Sequence, residues 1–203
     1  MRILIIGATG TIGRPLVAAL QDHHELVLAS HHKAGEHVDI SDPASIRALY
    51  DRVGKLDGVV SVAGDAKFKP LGALTDDDFD FSLRNKLMGQ VNLVRYGFAS
   101  VNDGGSFTLT SGVLAQQPMI GSGAVSLVNA GLEGFTRAAA LEAPRGIRVN
   151  IVSPGWVTET LIALKMEPSG GMPAAEVARI RPDHRRRTDG RGDHAWSEEL
   201  GSP

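Results

Sequence analysis

The 203-residue sequence has no cysteine, few aromatic residues (5%) and no long apolar run. The absence of cysteine excludes disulfides, thiol catalysis and cysteine-ligated zinc. No stretch reaches the ~18 apolar residues that span a membrane. The apolar run Ile3–Ile6 is too short for the core of a signal peptide, so a cytoplasmic protein without a membrane partner is expected. The formal net charge of −2 gives no reason to expect a nucleic-acid partner.

Short apolar runs alternate with longer segments of helical periodicity. This alternation predicts an α/β fold, a single domain with a doubly wound, Rossmann-type parallel sheet. The runs are continuously apolar, as in strands that are buried on both faces. Strands are predicted at Ile3–Ile6, Leu26–Ala29, Gly58–Val62, Ser106–Thr110 and Ile147–Val152. Helices are predicted at Ile12–Leu20, at Pro43–Val53 with Ser41 or Asp42 as its cap, from Thr75 to about Ser100, and at Ala124–Leu141.

The last part of the chain differs in composition from the rest. From Arg181 to Pro203 there is no apolar run of the kind that forms a buried strand, and glycines are scattered among charged residues. Such a segment buries too little apolar surface to offset the entropy of ordering. The sequence therefore predicts one domain over residues 1–180 and a disordered or irregular tail over residues 181–203.

A glycine-rich turn, Gly7-Ala8-Thr9-Gly10-Thr11-Ile12-Gly13, joins the first predicted strand to the first predicted helix. Glycines let the chain turn tightly and approach a pyrophosphate, while the start of the following helix offers free N–H groups and the positive end of its dipole. The order of strand, turn and helix favours dinucleotide binding over a plain turn. The residues predicted to bind the cofactor here are Gly7, Thr9, Gly10, Thr11, Ile12 and Gly13.

Further segments follow this turn in order: Leu56–Gly64, Leu109–Gly112, Gly131–Arg137 and Arg148–Val157. In this order and spacing they resemble the short-chain dehydrogenase/reductase family. The resemblance implies an NAD(P)(H)-binding oxidoreductase acting on a small carbonyl or alcohol, and a homodimer or homotetramer. The cofactor contacts that it implies are Asp39 and Ile40 near the adenine, Ala63 and Gly64 after the third predicted strand, and Pro154, Gly155 and Val157 beside the nicotinamide.

The end of the second strand meets the adenosine ribose in this fold, and an acid there favours NAD. The sequence reads Ala29-Ser30-His31-His32-Lys33 and has no acid at this point. The hydroxyl of Ser30 and the imidazole of His31 therefore favour NADP(H) over NAD(H). The alternative is a solvated polar loop. Five histidines lie between residues 23 and 37, but none has a recognised ligand spacing, so no metal site is predicted.

The family resemblance implies a catalytic tyrosine, a lysine four residues later, a serine and an asparagine. Aligning the chain by its downstream Glu133 puts Val125 at the tyrosine position and Asn129 at the lysine position. Valine neither donates nor accepts a proton, and the only tyrosines are Tyr50 and Tyr96, far from this register. The usual tyrosine mechanism is therefore not expected.

The asparagine position is altered as well, because alignment by Gly89 places Lys86 there instead of Asn85. One hypothesis is that a lysine and an asparagine have exchanged places, so that Lys86 supplies the cation that Asn129 lacks. The alternative is a one-residue shift that makes Asn85 the true match and Lys86 a solvated residue. The predicted catalytic residues are Ser111, Lys86 and Asn129, with Lys86 or Ser111 as the candidate proton donor.

The resemblance also leads us to expect one more parallel strand near the end of the chain, and nothing after Ala178 resembles it. We therefore expect six strands and an open sheet edge. Segment Leu161–Pro173 is the expected substrate lid, with Gly170 and Gly171 giving it mobility. Two functions stay open: an oxidoreductase with an atypical proton donor, and a non-catalytic protein that senses NADP or binds a partner.

Overall fold

Six parallel strands form the sheet in the computed structural model, which describes residues 1–32 and 35–179. Within these residues the strand order is β3-β2-β1-β4-β5-β6. The strands are β1 (Arg2–Ile6), β2 (Glu25–Ser30), β3 (Glu36–His37), β4 (Leu56–Ser61), β5 (Val101–Thr110) and β6 (Arg148–Val152). The doubly wound parallel fold is confirmed. The two-residue strand β3, which has no apolar run, was not among the predicted strand segments.

Five of the described helices lie between strands, where the sequence predicts helices, and two short ones follow β6. The helices are α1 (Gly13–Leu20), α2 (Pro43–Val53), α3 (Asp76–Ser82), α4 (Gly89–Gly97), α5 (Gly123–Glu142), α6 (Thr158–Ala163) and α7 (Ala174–Val177). Asp42 caps α2 by accepting a hydrogen bond from the Ala44 amide at 2.8 Å. Thr75 and Asp78 form a reciprocal capping box at the start of α3. Local side-chain chemistry therefore sets these two helix starts.

The central strand β1 shows why both faces of the sheet are covered. Successive side chains of a strand point to opposite faces. Leu4 and Ile6 lie in the core against α2, α4 and α5, whereas Ile3 and Ile5 lie in a second core with Leu16 of α1. Burial of apolar side chains at about 25 cal/mol per Å² makes both cores the main source of stability. A polar side chain at any of these four positions would place a polar group inside one of the two cores.

The predicted helix from Thr75 to about Ser100 changes its winding in the middle. A π-helical segment, Leu83–Met88, joins α3 to α4 without a break in the helical backbone, and the Gly89 amide donates to the carbonyl of Arg84 five residues back. A π-helical turn shifts the phase of every residue that follows. Lys86 and Asn85 both lie in this segment. The helix ends at Gly97, three residues before the predicted position.

The predicted tail over residues 181–203 lies outside the described residues, and so does the expectation that the family's last strand is missing from it. Within the described residues, β6 is an edge strand whose outer side pairs with no other strand. The same residues include no helix with the length and apolarity needed to cross a membrane.

Candidate functional site

The glycine-rich turn after β1 has a geometry that only glycine fits at two positions. Gly7 has a φ of +86°, and a Cβ on it would lie 2.9 Å from the Ala63 nitrogen. A Cβ on Gly13 would lie only 2.0 Å from the Gly7 carbonyl oxygen. The Gly7 amide donates to the Ala29 carbonyl at 2.9 Å, which ties the turn to the end of β2. The turn is therefore tightly closed against β2 and the end of β4.

Helix α1 begins at this turn without a capping side chain. Among the described residues, the backbone amides of Thr11 and Ile12 have no hydrogen-bond acceptor. Unpaired amides at a helix start, reached by a backbone without Cβ atoms, fit a pyrophosphate. Thr9 and Gly10 stand at the same turn, where the Thr9 carbonyl accepts from the Arg14 guanidinium at 2.9 Å. The residues present therefore fit the phosphates of a dinucleotide.

Two of the predicted cofactor segments meet in one small apolar cluster. Val157, from the segment after β6, packs with Ala174 and Val177, and Ile12 of the glycine-rich turn contacts the same cluster. Val157 also forms a strand-like bridge to Met172. The structure thus brings Ile12 and Val157 together although 145 residues separate them in the sequence.

The segment before Val157 is fixed from the neighbouring strand. The carbonyl of Pro154 accepts from the Val113 amide at 2.9 Å, while Gly155 is exposed and a Cβ on it would touch nothing within 4 Å. Ala63 and Gly64 follow β4, and Gly64 has a φ of +120°. These residues line the same carboxyl edge of the sheet as the glycine-rich turn, where ligands of such folds bind.

The residues after β2 form a histidine cluster. The His31 and His32 rings lie 4.0 Å apart between centroids, the His37 ring lies 5.6 Å from His31, and the Asp39 carboxylate lies 3.8 Å from the His31 Nε2. Hydrogen bonds from Ser41, chiefly from its hydroxyl, lower the pKa of Asp39. His31 is exposed at the end of β2, whereas Ser30 is buried. An exposed group that can become cationic therefore stands at the predicted ribose position.

Ile40 lies differently from its neighbours. Its side chain is buried in the main core and would contact a Cβ placed on Gly89. Only its backbone remains for contact with a cofactor. The structure therefore leaves a packing role for this side chain, which the family resemblance did not indicate.

Lys86 lies against the end of β4. A Cβ on Gly64 would lie 3.0 to 3.3 Å from the backbone and side-chain carbons of Lys86. Burial of its ammonium lowers the pKa of Lys86 to about 8, although the Asp65 carboxylate acts in the opposite direction. Among the described residues the ammonium has no hydrogen-bond or ion-pair partner within bonding distance. Lys86 is thus a partly desolvated cation beside a predicted cofactor residue.

Asn85 reaches the same short segment. Its Oδ1 accepts from the Asp65 amide at 2.7 Å. Because the π-helical turn spreads residues 83–88 over a wider arc, both Asn85 and Lys86 contact the Gly64–Asp65 stretch. Asn85 therefore bonds the backbone of this stretch while Lys86 lies against Gly64, and which of the two matches the family's asparagine stays a prediction.

Asn129 is buried at the start of the second turn of α5, 2% exposed. Its Nδ2 donates weakly to the Gly112 carbonyl at 3.4 Å, and its Oδ1 has no hydrogen-bond partner among the described residues. A Cβ on Gly112 would lie 3.1 Å from that Nδ2. A buried polar atom without a partner costs about 1–3 kcal/mol and is typical of a functional site. Gly112, which the sequence reasoning passed over, therefore makes the room for Asn129.

Ser111 is buried and already has partners. Its hydroxyl lies 3.1 Å from the Glu133 carboxylate and 3.2 Å from the Asn129 carbonyl. Ser153 donates to the same carboxylate at 3.1 Å, and Gln116 lies 3.4 Å from its other oxygen. Glu133 thus joins the ends of β5 and β6 to α5. The predicted catalytic role of Ser111 stays a prediction, and the structure gives its hydroxyl a bond to Glu133 in the interior.

Gln90 is a second residue that the sequence reasoning missed. Its fully buried amide donates to the Thr110 carbonyl at 3.0 Å and accepts from the Thr110 amide at 2.9 Å. These two hydrogen bonds hold the start of α4, which follows the segment of Lys86, against the end of β5. No sequence pattern marks this glutamine, because its importance depends only on its being buried opposite a strand end.

The two tyrosines of the chain lie away from these residues. Tyr50 is buried in α2 and donates to the Leu93 carbonyl at 2.7 Å, and burial raises its pKa. The guanidinium of Arg47 lies 4.6 Å from the centre of the Tyr96 ring. Val125 is half-buried in α5.

Across residues 1–32 and 35–179, no three histidine, aspartate or glutamate side chains are grouped for a metal ion.

Sequence comparisons relate this chain to proteins that are named as reductases. The family model described as "Enoyl-(Acyl carrier protein) reductase" matches residues 15–182. The hydroxynaphthalene reductase-like protein Arp2 of Metarhizium brunneum is 34% identical over 150 residues, 68% of this chain and 56% of that protein. The short-chain dehydrogenase/reductase ABA4 of Pyricularia oryzae is 30% identical over 142 residues, 66% of this chain and 53% of that protein. The chain thus spans about half the length of these relatives.

Solved structures agree with the sequence comparisons. The protein lin1944 from Listeria innocua superposes with a TM-score of 0.84 at 41% identity, covering 88% of this chain and 90% of that one. A small-chain dehydrogenase in complex with NADPH superposes with a TM-score of 0.77 at 26% identity, covering 88% of each chain. The fold is therefore shared along almost the whole described chain.

Proposed function

This chain belongs to the short-chain dehydrogenase/reductase family, and on that premise we propose that it binds NADP(H) and interconverts a small carbonyl compound and its alcohol. The observation that carries the proposal is the closed glycine turn before an uncapped helix start. That turn and helix start would hold the pyrophosphate, and Pro154, Gly155 and Val157 would lie beside the nicotinamide. When bound, the cofactor supplies or accepts the hydride.

The preference for NADP(H) rests on the end of β2. The end of β2 carries no acid of its own, although the Asp39 carboxylate lies 3.8 Å from the His31 Nε2, and His31 is exposed with its ring close to those of His32 and His37. A protonated imidazole would pair with the 2′-phosphate, while the Ser30 backbone and Asp39 border the adenosine. The NADPH complex of a solved relative agrees with this choice.

Lys86 is the proposed proton donor for carbonyl reduction. In that direction the carbonyl carbon takes a hydride and the carbonyl oxygen takes a proton, which the Lys86 ammonium gives up and regains from solvent. Burial has lowered the pKa of this ammonium toward neutrality, as general acid catalysis requires. Ser111 is less suited, because its hydroxyl is buried against Glu133. Asn129, with its unpaired Oδ1, would bind a ribose or substrate hydroxyl.

The proposal is tested by titrating purified protein with NADPH and with NADH, following the fluorescence of the reduced nicotinamide. NADPH oxidation is then measured over a panel of ketones and aldehydes. We expect saturable binding with NADPH favoured, and turnover of at least one carbonyl. Absence of binding to either nucleotide contradicts the proposal.

A second function, cofactor sensing without catalysis, is favoured by one observation: Val125 stands where the family resemblance implies the tyrosine. A non-catalytic protein would bind NADPH in the titration and oxidise it no faster with any carbonyl than without. The assembly into a homodimer or homotetramer stays a prediction, which sedimentation equilibrium of the same preparation would test.

A further inference from the structure

Two aromatic rings from different loops meet next to the segment proposed to lie beside the nicotinamide. In the sheet β5 lies between β4 and β6. Phe68 belongs to the segment after β4 and Trp156 to the segment after β6, yet their rings touch edge to face, with centroids 6.4 Å apart and planes at 77°. The loops that follow the two outer strands are therefore in contact with each other.

The position of Phe68 is fixed by the loop that precedes α5. Gly121 has a φ of +92°, and a Cβ on it would lie 3.1 Å from the Phe68 ring. The Lys69 amide donates to the Gly121 carbonyl at 2.9 Å. A side chain at position 121 would push the ring away, so glycine here lets Phe68 lie flat on this loop.

Trp156 is fixed from the other side by the expected lid. Its carbonyl accepts from the Met172 amide at 2.7 Å, and the Thr158 amide donates to the Met172 carbonyl at 3.0 Å. A Cβ on Gly171 would lie 2.7 Å from Thr158. Gly171, expected to give mobility, therefore also permits this close packing, and Trp156 is held by the returning lid.

The two rings lie near an exposed apolar side chain, and the lysines next to Phe68 are engaged elsewhere. Both rings are half-buried, and Ile120, next to Gly121, is 88% exposed. The lysines on either side of Phe68 have partners: Lys69 pairs with Asp78 at 2.8 Å, and Lys67 lies 4.3 Å from the centre of the Phe81 ring. Such a surface suits an uncharged, apolar ligand rather than a carboxylate or phosphate.

We propose that Phe68 and Trp156 form the specificity wall of the substrate site and select a flat, uncharged aromatic ketone or its alcohol. The proposal rests on the proposed oxidoreductase function and names its substrate class. Partly exposed rings in edge-to-face contact can pack against a third ring in offset or edge geometry, which a saturated ring cannot match. Trp156 stands between Gly155 and Val157, which are proposed to lie beside the nicotinamide, so a ketone on these rings would be next to the cofactor.

The test uses the full chain carrying Trp196→Phe, so that Trp156 is its only tryptophan. With NADP⁺ bound, no ketone can be reduced, and binding is measured by Trp156 fluorescence and by calorimetry. The probes are α-tetralone, a fused aromatic ketone, and α-decalone, its saturated counterpart. We expect α-tetralone to bind about tenfold more tightly and to change Trp156 emission, as aromatic packing of this kind predicts.

The matched variants are Phe68→Leu, which keeps an apolar side chain, and Leu141→Ala, which changes an exposed leucine remote from the site. Phe68→Leu should remove most of the preference for α-tetralone and raise its KM more than it lowers kcat, while NADPH affinity stays the same. Leu141→Ala should change neither the preference for α-tetralone nor its KM. Phe68→Tyr, which keeps the ring, should retain the preference.

Equal affinity for the two ketones, or a preference that survives Phe68→Leu, would overturn this proposal. So would Trp156 emission that varies with protein concentration and not with ketone, because the aromatic surface would then bind a second copy of the chain. Failure of NADPH binding is a separate result, which contradicts the oxidoreductase function and is measured independently through the nucleotide's own fluorescence.

Discussion

The cofactor region and the catalytic region of this protein are built by different means. The cofactor region is the turn Gly7–Gly13 with the helix start that follows it, and its shape comes from consecutive residues. The proposed catalytic region draws on Lys86 from the π-helical segment, Gly112 after β5 and Asn129 from α5, which lie far apart in the sequence. Local geometry therefore leaves little freedom in the first region, whereas the second depends on how distant segments pack.

The largest effect should come from breaking the cofactor region at Gly13. In Gly13→Ala the new Cβ would lie 2.0 Å from the Gly7 carbonyl oxygen, so the turn must open or α1 must shift. We expect NADPH affinity to fall by more than a hundredfold, or the thermal unfolding midpoint to drop by several degrees. Gly72→Ala is the control, because a Cβ there touches nothing within 4 Å. A Gly13→Ala protein with unchanged affinity and stability would mean that the turn is looser than described.

The second-largest effect is expected from substituting Lys86 in the proposed catalytic region. Loss of a general acid typically costs a factor of about 10² to 10⁴. Lys86→Met should therefore lower kcat for ketone reduction about a hundredfold or more without weakening NADPH binding, whereas Lys55→Met, remote from the site, should not. Equal activity of the Lys86→Met protein and the parent would rule out Lys86 as the donor.

The pH profile gives an independent check on the same residue. A lysine with a pKa of about 8 is protonated below that pH and loses its proton above it. The reduction rate should therefore be level near pH 7 and fall as the pH rises through about 8. In Lys86→Arg the guanidinium stays protonated over this range, so any remaining activity should lose this alkaline decline.

A smaller effect is expected at His31, and it tests whether the cofactor region prefers NADPH over NADH. In His31→Ala the affinity for NADPH should fall about three- to tenfold, because the variant loses the imidazole that would bond the 2′-phosphate and one such hydrogen bond contributes about 1 kcal/mol. NADH affinity should stay nearly constant, since NADH lacks the 2′-phosphate. Equal losses for both nucleotides would assign His31 to packing of the loop. His37→Ala is a useful comparison, as His37 lies in the same cluster.

The smallest effect concerns the helix that carries Lys86. Thr75→Ala removes the capping-box hydroxyl at the start of α3 and should lower the free energy of unfolding by about 1 kcal/mol in urea. Asp77→Ala, at an exposed first-turn acid outside the capping box, should cost only a few tenths of a kcal/mol. If the two variants are equally stable, the helix start depends on tertiary packing and not on its cap.

Much of the fold follows from local patterns. The apolar runs predict five strands of the sheet within two residues at each end, except that β5 begins at Val101, five residues before the predicted Ser106. Asp42 and Thr75 mark helix starts that the structure confirms. The strand β3 escapes such reasoning because two polar residues pair with the end of β2 without an apolar signal. The register of Lys86 also escapes it, because the π-helical turn changes the phase of the helix and no glycine or proline lies within Leu83–Met88 to mark it.

The order of strands, turns and helices, and the glycines that the β1–α1 turn requires, were determined by the sequence itself, because backbone sterics and apolar periodicity act between near neighbours. The surroundings of Ser111 and Asn129 were decided only by the tertiary structure: the serine is bonded to Glu133, and the asparagine faces Gly112 with an unpaired oxygen. Burial and the partners of a polar group depend on chain segments distant in sequence, so they appear only once the sheet and helices have packed.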